Sequence, residues 1–394
     1  MKEINRKLVA LAAKMGRGEP IRIAILGLGS VGNYLLDYLL SWDEQAVEIH
    51  VGGRNEERIL RDINIVRVGN GIRFKQYKKV VFHHVDLDDL DQLQAFFRDV
   101  NPDVVVNTSR VYSGLKYGSI SWHTVRAYGI WTPLAVRYIK NITEANRDAQ
   151  AIIINTSYSD GVNPWLKSAG GQYPDFGSGN LNHLIPRITL AAAELLKIDD
   201  LRRIDVVLAC SHFHDVVISK EGHDEGVAPL LAVLVDGEQV DLDHAEIYRR
   251  CAIEMPVDAK RNIMNASSNF EIISKIVGAI RNRSRYVFHS PGVNGELGGF
   301  PVYVDFTVSN TGDHIGFVED WFTLEEMRSL NAASLALDGI EGVQDGRLRY
   351  TDDLLGKVKN AFGVTLPKHV DLADASEVGE FIIERIIEPQ LKEQ

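Results

Sequence analysis

The sequence predicts an α/β protein: a doubly wound parallel sheet, followed by an α+β region with antiparallel strands. Three observations carry this expectation. Residues 21–26 (Ile-Arg-Ile-Ala-Ile-Leu) are a short, β-branched apolar run that reads as a buried parallel strand. A Gly-x-Gly-x-x-Gly turn follows at Gly27, Gly29 and Gly32, after which 33–40 repeats apolar residues at helical spacing. Apolar runs at 46–51, 80–84, 102–109 and 151–157 then alternate with helical patterns at 90–100 and 131–147, the rhythm of a parallel sheet covered by helices.

The glycines have separate physical roles. Gly27 permits the tight turn, Gly29 lets the backbone approach a pyrophosphate, and Gly32 lets the helix pack close to the strand. Ser30 and Val31 open that helix, whose free N–H groups and positive dipole end suit phosphates. Strand, turn and helix thus stand in the order of a Rossmann-type dinucleotide site. In NAD-binding units the second strand ends in Asp or Glu, which bonds the ribose 2′-OH. Here the chain reads Gly52-Gly53-Arg54-Asn55, and the planar head of Arg54 suits a 2′-phosphate. NADP is therefore the expected cofactor and NAD the alternative; in the plainer reading Arg54 is a solvated loop residue. Asn107, Thr108 and Ser109 end the fourth strand, the position that lies beside a nicotinamide ribose.

Length and composition set the frame. The 394 residues suffice for two domains, expected at 1–165 and 166–394. A net charge of −11 argues against a nucleic-acid surface, which needs clustered Lys and Arg. Two cysteines make neither a disulfide framework nor a Cys-rich zinc site. No apolar run reaches the roughly 18 residues of a membrane span, so a cytoplasmic enzyme with a small-molecule substrate is expected. Residues 1–19 suit an amphipathic lead-in helix (Leu8, Leu11, Ala12, Met15) that caps the domain or meets a second subunit.

The remaining segments read as follows. Residues 110–128, rich in Ser, Gly and Tyr and holding Lys116, His123 and Arg126, have the length of a functional lid. Gly-rich 168–179 breaks the chain before a helix at 181–197. Strands are expected at 204–211, 216–219 and 230–235, with an Asp236-Gly237 turn, and helices at 243–253 and 270–281. Strands at 286–289, 302–308 and 316–318 precede a helix at 325–337, and the tail 346–394 reads as polar-faced helix.

In this order the motifs resemble the lactate/malate dehydrogenase superfamily, which also contains the family 4 glycosidases. Ile154-Asn155-Thr156 is similar to that family's strand ending in Asn, which touches cofactor and substrate. Gly177-Ser178-Gly179-Asn180-Leu181-Asn182 is similar to its Gly-x-Gly-x-x-Leu-Asp segment, and 204–211 with His212 to its strand and catalytic histidine. The resemblance implies His212 as acid/base and Asn155 and Asn182 as positioning groups. It makes Arg126 the nearest counterpart of the mobile-loop arginine, and it implies a homodimer or homotetramer. Departures matter too. Asn182 replaces the family's Asp, Ile185 its carboxylate-binding Arg (Arg187 lies off register), and Thr156 its Pro. Lactate and malate lack a bidentate partner here. The Gly-Gly-Arg-Asn loop also resembles saccharopine-type reductases, over the first domain only.

His212-Phe213-His214-Asp215, with Gly222-His223-Asp224-Glu225 behind it, is the densest polar constellation. Hydride transfer at an alcohol carbon needs a group that exchanges the hydroxyl proton near neutral pH, and histidine is poised there. His214 is the alternative acid/base, because strand alternation sets it on the face of His212. His212, His214, Asp215 and His223 offer a metal set of the family 4 glycosidase kind, but that kind needs a Cys where this chain has Gly179-Asn180, so no metal is expected. The loop 290–299 either brings N–H groups to a substrate or connects a hairpin; Ser267 and Ser268 either set specificity or cap a helix. The expected activity is an NAD(P)-dependent dehydrogenase or reductase, moving a hydride between nicotinamide and a secondary alcohol or ketone of a small polar substrate. Two alternatives are a redox-assisted lyase or hydrolase with bound NAD, and a non-catalytic dinucleotide-binding protein.

Overall fold

The computed structural model describes residues 1–394 except Gln45, Gln76, Ser113, 309–311 and 393–394; the side chains of Leu115, Lys116, Ser119 and Ser121 are also outside the described set. Lys116, expected in the lid, therefore lies outside what is described.

The first region runs α1 (Lys2–Gly16), β1 (Ile21–Leu26), α2 (Ser30–Ser41), β2 (Val47–Gly53), α3 (Glu56–Phe74), β3 (Lys79–His84), α4 (Leu90–Val100), β4 (Val104–Asn107), α5 (Gly114–Ile120), α6 (Thr132–Ala145), β5 (Ile152–Asn155), α7 (Ser159–Ser168) and β6 (Phe176–Gly177). Its strands form one parallel sheet in the order β3-β2-β1-β4-β5-β6. The chain winds one way from β1 and then the other, so a crevice opens beyond the strand ends between β1 and β4. Register aligns Gly52, Leu26, Asn107, Asn155 and Gly177 along that edge.

Burial on both faces explains why these strands are continuously apolar. Ile21, Ile23 and Ile25 pack on one side of β1, and Ala24 and Leu26 on the other. α4 presents Leu93, Phe96, Phe97 and Val100 to the core, starts at an Asp89 cap on the Gln92 N–H and stops at Asn101 in the left-handed region. α1 buries Ile4, Leu8, Leu11 and Met15 in the same core as β1. Its buried Lys7 Nζ bonds both carboxylate oxygens of Asp175, at 2.9 and 2.7 Å. The lead-in helix caps its own domain; its apolar face is not available to a second subunit.

The second region runs α8 (Leu181–Leu196), β7 (Ile204–Ala209), α9 (His212–Glu221), β8 (Leu230–Val235), β9 (Glu238–Val240), α10 (His244–Cys251), α11 (Asn262–Asn282), β10 (Arg285–Pro291), β11 (Gly299–Asp305), β12 (Ile315–Phe317), α12 (Leu324–Leu337), β13 (Ile340–Gln344), β14 (Arg347–Tyr350), α13 (Asp352–Phe362), β15 (His369–Asp371), α14 (Ala375–Ile382) and α15 (Glu388–Lys392). Its strands make antiparallel sheets β7-β8-β9, β10-β11-β12 and β13-β14-β15. Asp236 and Gly237, at φ 52° and 86°, turn the β8–β9 hairpin. The segment 290–299 is a hairpin connection between β10 and β11.

Four expectations need correction. The expected strand 216–219 is helix α9, because Phe213, Val216 and Val217 pack on the α8 side of the core and packing overrides the β-preference of Val-Val-Ile. The expected lid 110–128 is largely helical and anchored: Tyr117, Ile120, Trp122 and Val125 are buried, an apolar face obscured by intervening Ser and Gly. α11 begins at Asn262, so Ser267 and Ser268 lie inside it and cap nothing. The tail holds two strands, β14 and β15, besides its helices, and Leu348, Tyr350, Leu354, Val370 and Ile382 join the core that contains α4 and α6 residues.

Candidate active site

The glycine turn has the tight local geometry expected at Gly27 and Gly32. Gly27 has φ +91°, and a Cβ there would stand 2.7 Å from Ser109 Cβ. A Cβ on Gly32 would stand 2.6 Å from the Gly27 carbonyl oxygen and 3.0 Å from Thr108 Oγ1. A Cβ on Gly29 would meet nothing within 4 Å, so the backbone is open at this position. Gly29 is the N-cap of α2 and has no side chain to cap it, which leaves first-turn N–H groups for an anion. Asn33 donates to the Gly29 carbonyl at 3.1 Å, while its buried Oδ1 has no partner among the described residues. From across the crevice, Asn262 Nδ2 donates to Ser30 Oγ at 2.5 Å. Val31, one position into the helix, is half-buried.

Arg54 follows β2 with its guanidinium exposed, 3.9 Å from the nearest Asp86 oxygen. Arg58, which sequence reasoning passed over, stands one turn further on. Its guanidinium donates to the Leu28 carbonyl at 2.6 Å, and its backbone N–H to the Asn55 cap at 3.0 Å. The visible signal was a second arginine four positions after the first, just inside a capped helix.

At the strand ends the two asparagines bind each other. Asn107 Nδ2 donates to Asn155 Oδ1 at 3.0 Å, and Asn155 Nδ2 donates to Asn163 Oδ1 at 3.0 Å and to the Ser157 carbonyl at 3.2 Å. Asn107 Oδ1 accepts from the Ser109 N–H, and Asn155 Oδ1 from the Ser157 N–H, both at 3.1 Å. Their amides are consumed in shaping the edge. Thr108 Oγ1 bonds the Gly27 carbonyl. Ser109 Oγ bonds Asn107.

His212 opens α9 and faces a buried carboxylate. Its Nδ1 lies 3.1 Å from Asp338 Oδ2, which also accepts from the Tyr158 hydroxyl at 2.6 Å; Oδ1 accepts from the Tyr128 N–H at 2.6 Å. The rings of Tyr128 and Tyr158 meet the imidazole edge-on, with centroids at 4.7 and 5.1 Å. The His212 N–H donates to Asp160 Oδ1 at 3.2 Å. Burial disfavours the imidazolium, but Asp338 outweighs it with help from Asp160, so the His212 pKa lies above its ordinary value. Burial pushes the Asp160 carboxyl up to about 6, with Asp338 adding to the rise and His212 opposing it. His212 Nε2 makes no hydrogen bond among the described residues. Tyr158 sits three residues past Asn155 with φ 46°, a left-handed backbone rare for an aromatic residue and a mark of local constraint. It ties the β5 end of the crevice to His212.

Other expected site residues fall elsewhere. Asn182 donates to the His289 carbonyl at 2.9 Å and to Glu271 at 3.2 Å, and the carboxylate on His212 is Asp338, so the expected Asn182–His212 pairing is corrected. Its Oδ1 is buried without a partner among the described residues. His214 is not on a strand face with His212: it lies in α9, 0% exposed, with its ring nitrogens bonded to Ser334 Oγ and the Val227 carbonyl. Burial pushes its pKa down to about 4. Arg126 is occupied by Glu221 and Glu225 and lies 4.7 Å above the Trp122 ring, so it does not serve as a free lid arginine. Arg187 is buried and bonds the Cys251 carbonyl at 2.7 Å. His212, His214, Asp215 and His223 do not converge; the acidic–histidine cluster among the described residues is Glu221, His223 and Glu225, exposed and bound by Arg126. Ser268 Oγ accepts from the Gly179 N–H at 2.8 Å, seating α11 against the start of α8.

Asp338, Tyr158, Tyr128 and Asp160 were not singled out by sequence reasoning. One signal was present. Asp338 caps the C-terminal end of α12, where the helix dipole disfavours an acid, so something else holds it there.

Sheet order, glycine turn and switch-point crevice define a Rossmann-type dinucleotide-binding fold. Residues 23–118 match the family described as Saccharopine dehydrogenase NADP binding domain. The chain is similar in structure to malate dehydrogenase from Cryptosporidium parvum, with TM-score 0.53 and 13% identity over 80% of this chain and 96% of that one. It is likewise similar to malate dehydrogenase from Plasmodium falciparum (TM-score 0.53, 12% identity, 87% and 99% covered) and from Aeropyrum pernix (0.52, 14%, 80% and 97%). Comparison with curated protein sequences finds no match.

Proposed function

We propose that the protein is an oxidoreductase that uses NADP(H), with NAD(H) as the second candidate, and moves a hydride between nicotinamide and a secondary alcohol or ketone of a small polar substrate. One observation carries this reading. His212 has Nδ1 held by a buried carboxylate, Nε2 without a partner among the described residues, and a link through Tyr158 to the end of β5.

The glycine turn fits a dinucleotide, because Gly29 leaves open space where a side chain would stand and the α2 N–H groups lack a cap. When bound, the cofactor supplies the hydride donor or acceptor. His212 Nε2 takes the hydroxyl proton as an alcohol is oxidised and returns it when a ketone is reduced. Asp338 fixes the tautomer and stabilises the imidazolium between these events. Asn107 and Asn155 act as positioning residues by setting the strand ends. Asn182 Oδ1, without a partner among the described residues, is an acceptor for a substrate hydroxyl. Arg54, joined by Arg58, meets a 2′-phosphate. With Ile185 at the arginine register and Arg187 engaged by the Cys251 carbonyl, α8 has no bidentate clamp for a 2-hydroxy acid.

Thermal unfolding with and without NADPH and NADH tests the first half of this reading. A ligand at about 100 times its Kd adds roughly 2.7 kcal/mol to the folded state. The proposal expects both dinucleotides to raise the melting temperature, NADPH more. Protein freed of nucleotide that responds to neither would overturn it.

A further inference from the structure

Two carboxylates touch His212, and they are not equivalent. Asp338 is 0% exposed and fully engaged, Oδ2 by His212 and Tyr158 and Oδ1 by the Tyr128 N–H. Asp160, in the first turn of α7, is 3% exposed and uses only Oδ1, which accepts the His212 N–H at 3.2 Å. Its Oδ2 makes no hydrogen bond among the described residues. The one bond it makes holds the start of α9, a task that an uncharged asparagine performs about as well. Burying a charge costs free energy that this task does not require.

Among the described residues no Lys or Arg pairs with Asp160. The strongest positive charge acting on it is His212, which is itself paired with Asp338, and Asp338 repels Asp160. Asp215, the third carboxylate acting on His212, has partners of its own in His183, 3.7 Å away, and in the Arg187 charge. One imidazolium thus serves both Asp338 and Asp160, and the Asp160 carboxyl lacks the cation that would draw its pKa down from about 6. The other polar atoms left without a partner here are acceptors too: His212 Nε2, when Nδ1–H donates to Asp338, and Asn182 Oδ1. Acceptors with an unmatched negative charge are complementary to a ligand that brings N–H donors and a positive charge. A substrate carboxylate would instead meet like charge.

We propose that the substrate carries an ammonium group close to its reacting carbon, as an amino alcohol or amino ketone does, and that Asp160 Oδ2 accepts a hydrogen bond from that ammonium while His212 Nε2 exchanges the hydroxyl proton. Asp160 is then the specificity-determining residue of the site. The ammonium is a recognition group whose bonds do not change: the hydride leaves or joins the carbon, and the proton passes between oxygen and His212. The inference rests on the acid/base reading of His212.

Secondary alcohols that share a skeleton but differ in charge test it, with 1-amino-2-propanol, 1,2-propanediol and lactate as the smallest set and longer sets built the same way. Turnover is followed through nicotinamide absorbance on wild type and Asp160→Asn, which keeps the acceptor for the His212 N–H. Wild type is expected to have its highest kcat/KM on the ammonium member. In Asp160→Asn the ratio of kcat/KM between the ammonium member and its neutral twin should fall roughly thirtyfold. A merely structural Asp160 would lower both members alike and leave the ratio unmoved, which would overturn the proposal. A preference for the neutral or carboxylate member would also overturn it, while leaving the oxidoreductase reading in place. If the dinucleotide binds but no member turns over, thermal unfolding of that complex decides: the ammonium member must stabilise wild type more than its neutral twin does, and equal effects overturn the proposal. Should Asp160→Asn fail to fold, the ranking of the three charge states on wild type decides alone.

Discussion

His212 Nδ1 lies 3.1 Å from Asp338 Oδ2, a contact between residues 126 positions apart in the chain. The pair sets the charge of the imidazole. Asp338→Asn should lower the His212 pKa, move the limb of any pH–rate profile that reports the histidine toward acid, and reduce turnover by about a hundredfold. Stability gives a second test. His212 binds its proton more tightly when folded, so its stabilising contribution is full below the unfolded value and is lost as pH rises through the raised folded one. Urea unfolding should therefore show a larger loss for Asp338→Asn near pH ~5 than near pH ~9. Equal losses would mean that the ion pair contributes nothing.

Gly29 and Gly32 should separate binding from folding. Ala at 29 enters open space, so Gly29→Ala should leave the melting temperature nearly unchanged while weakening dinucleotide binding, because its methyl occupies the phosphate approach. Ala at 32 stands 2.6 Å from the Gly27 carbonyl, so Gly32→Ala should cost about 1–3 kcal/mol without any ligand. Calorimetry on both variants distinguishes the two effects.

Arg54 and Arg58 should govern cofactor choice. Arg54→Ala is expected to weaken NADPH roughly tenfold and NADH hardly at all, since only the former carries a 2′-phosphate. Arg58→Ala should weaken both, because its guanidinium also braces the turn at the Leu28 carbonyl. Titration calorimetry reads each Kd. If Arg54→Ala weakens both dinucleotides equally, Arg54 is not the discriminating group.

Lys7 and Asp175 should matter to stability alone. The Asp175 carboxylate also accepts the Ile153 N–H at 2.8 Å, so the pair fastens α1 to β5. Lys7→Met strands a buried carboxylate and should cost about 3–5 kcal/mol. Replacing both partners by apolar residues should cost less. A loss under ~1 kcal/mol would show that α1 is loosely held.

What the sequence revealed follows how far its signals reach along the chain. The strand at 21–26, the glycine turn and the capped α4 are specified by neighbours within a few residues, and they stand where periodicity and turn chemistry put them. The error at 216–219 arose because Val-Val-Ile prefers strands locally, while burial against α8 decides the outcome. His212 was legible from its place after β7. Its partner was not, because Asp338 reaches it through the end of a helix more than a hundred residues later. Asn182, the expected partner, has its amide turned to His289 and Glu271. The tail strands were hidden for the same reason: Leu348 and Val370 alternate with charged residues over runs too short to show a period, and β14 and β15 acquire their order only by pairing with each other and with β13.

The most direct test of the central claim is turnover of His212→Asn beside wild type, followed through nicotinamide absorbance across a panel of small polar ketones and secondary alcohols. Dinucleotide affinity is checked on both proteins. The expected result is that wild type turns over at least one substrate, while His212→Asn binds the dinucleotide as tightly and turns over at least a hundredfold more slowly (about 3 kcal/mol in the barrier). Equal turnover by the two proteins at equal affinity would contradict the assignment of His212 as the acid/base.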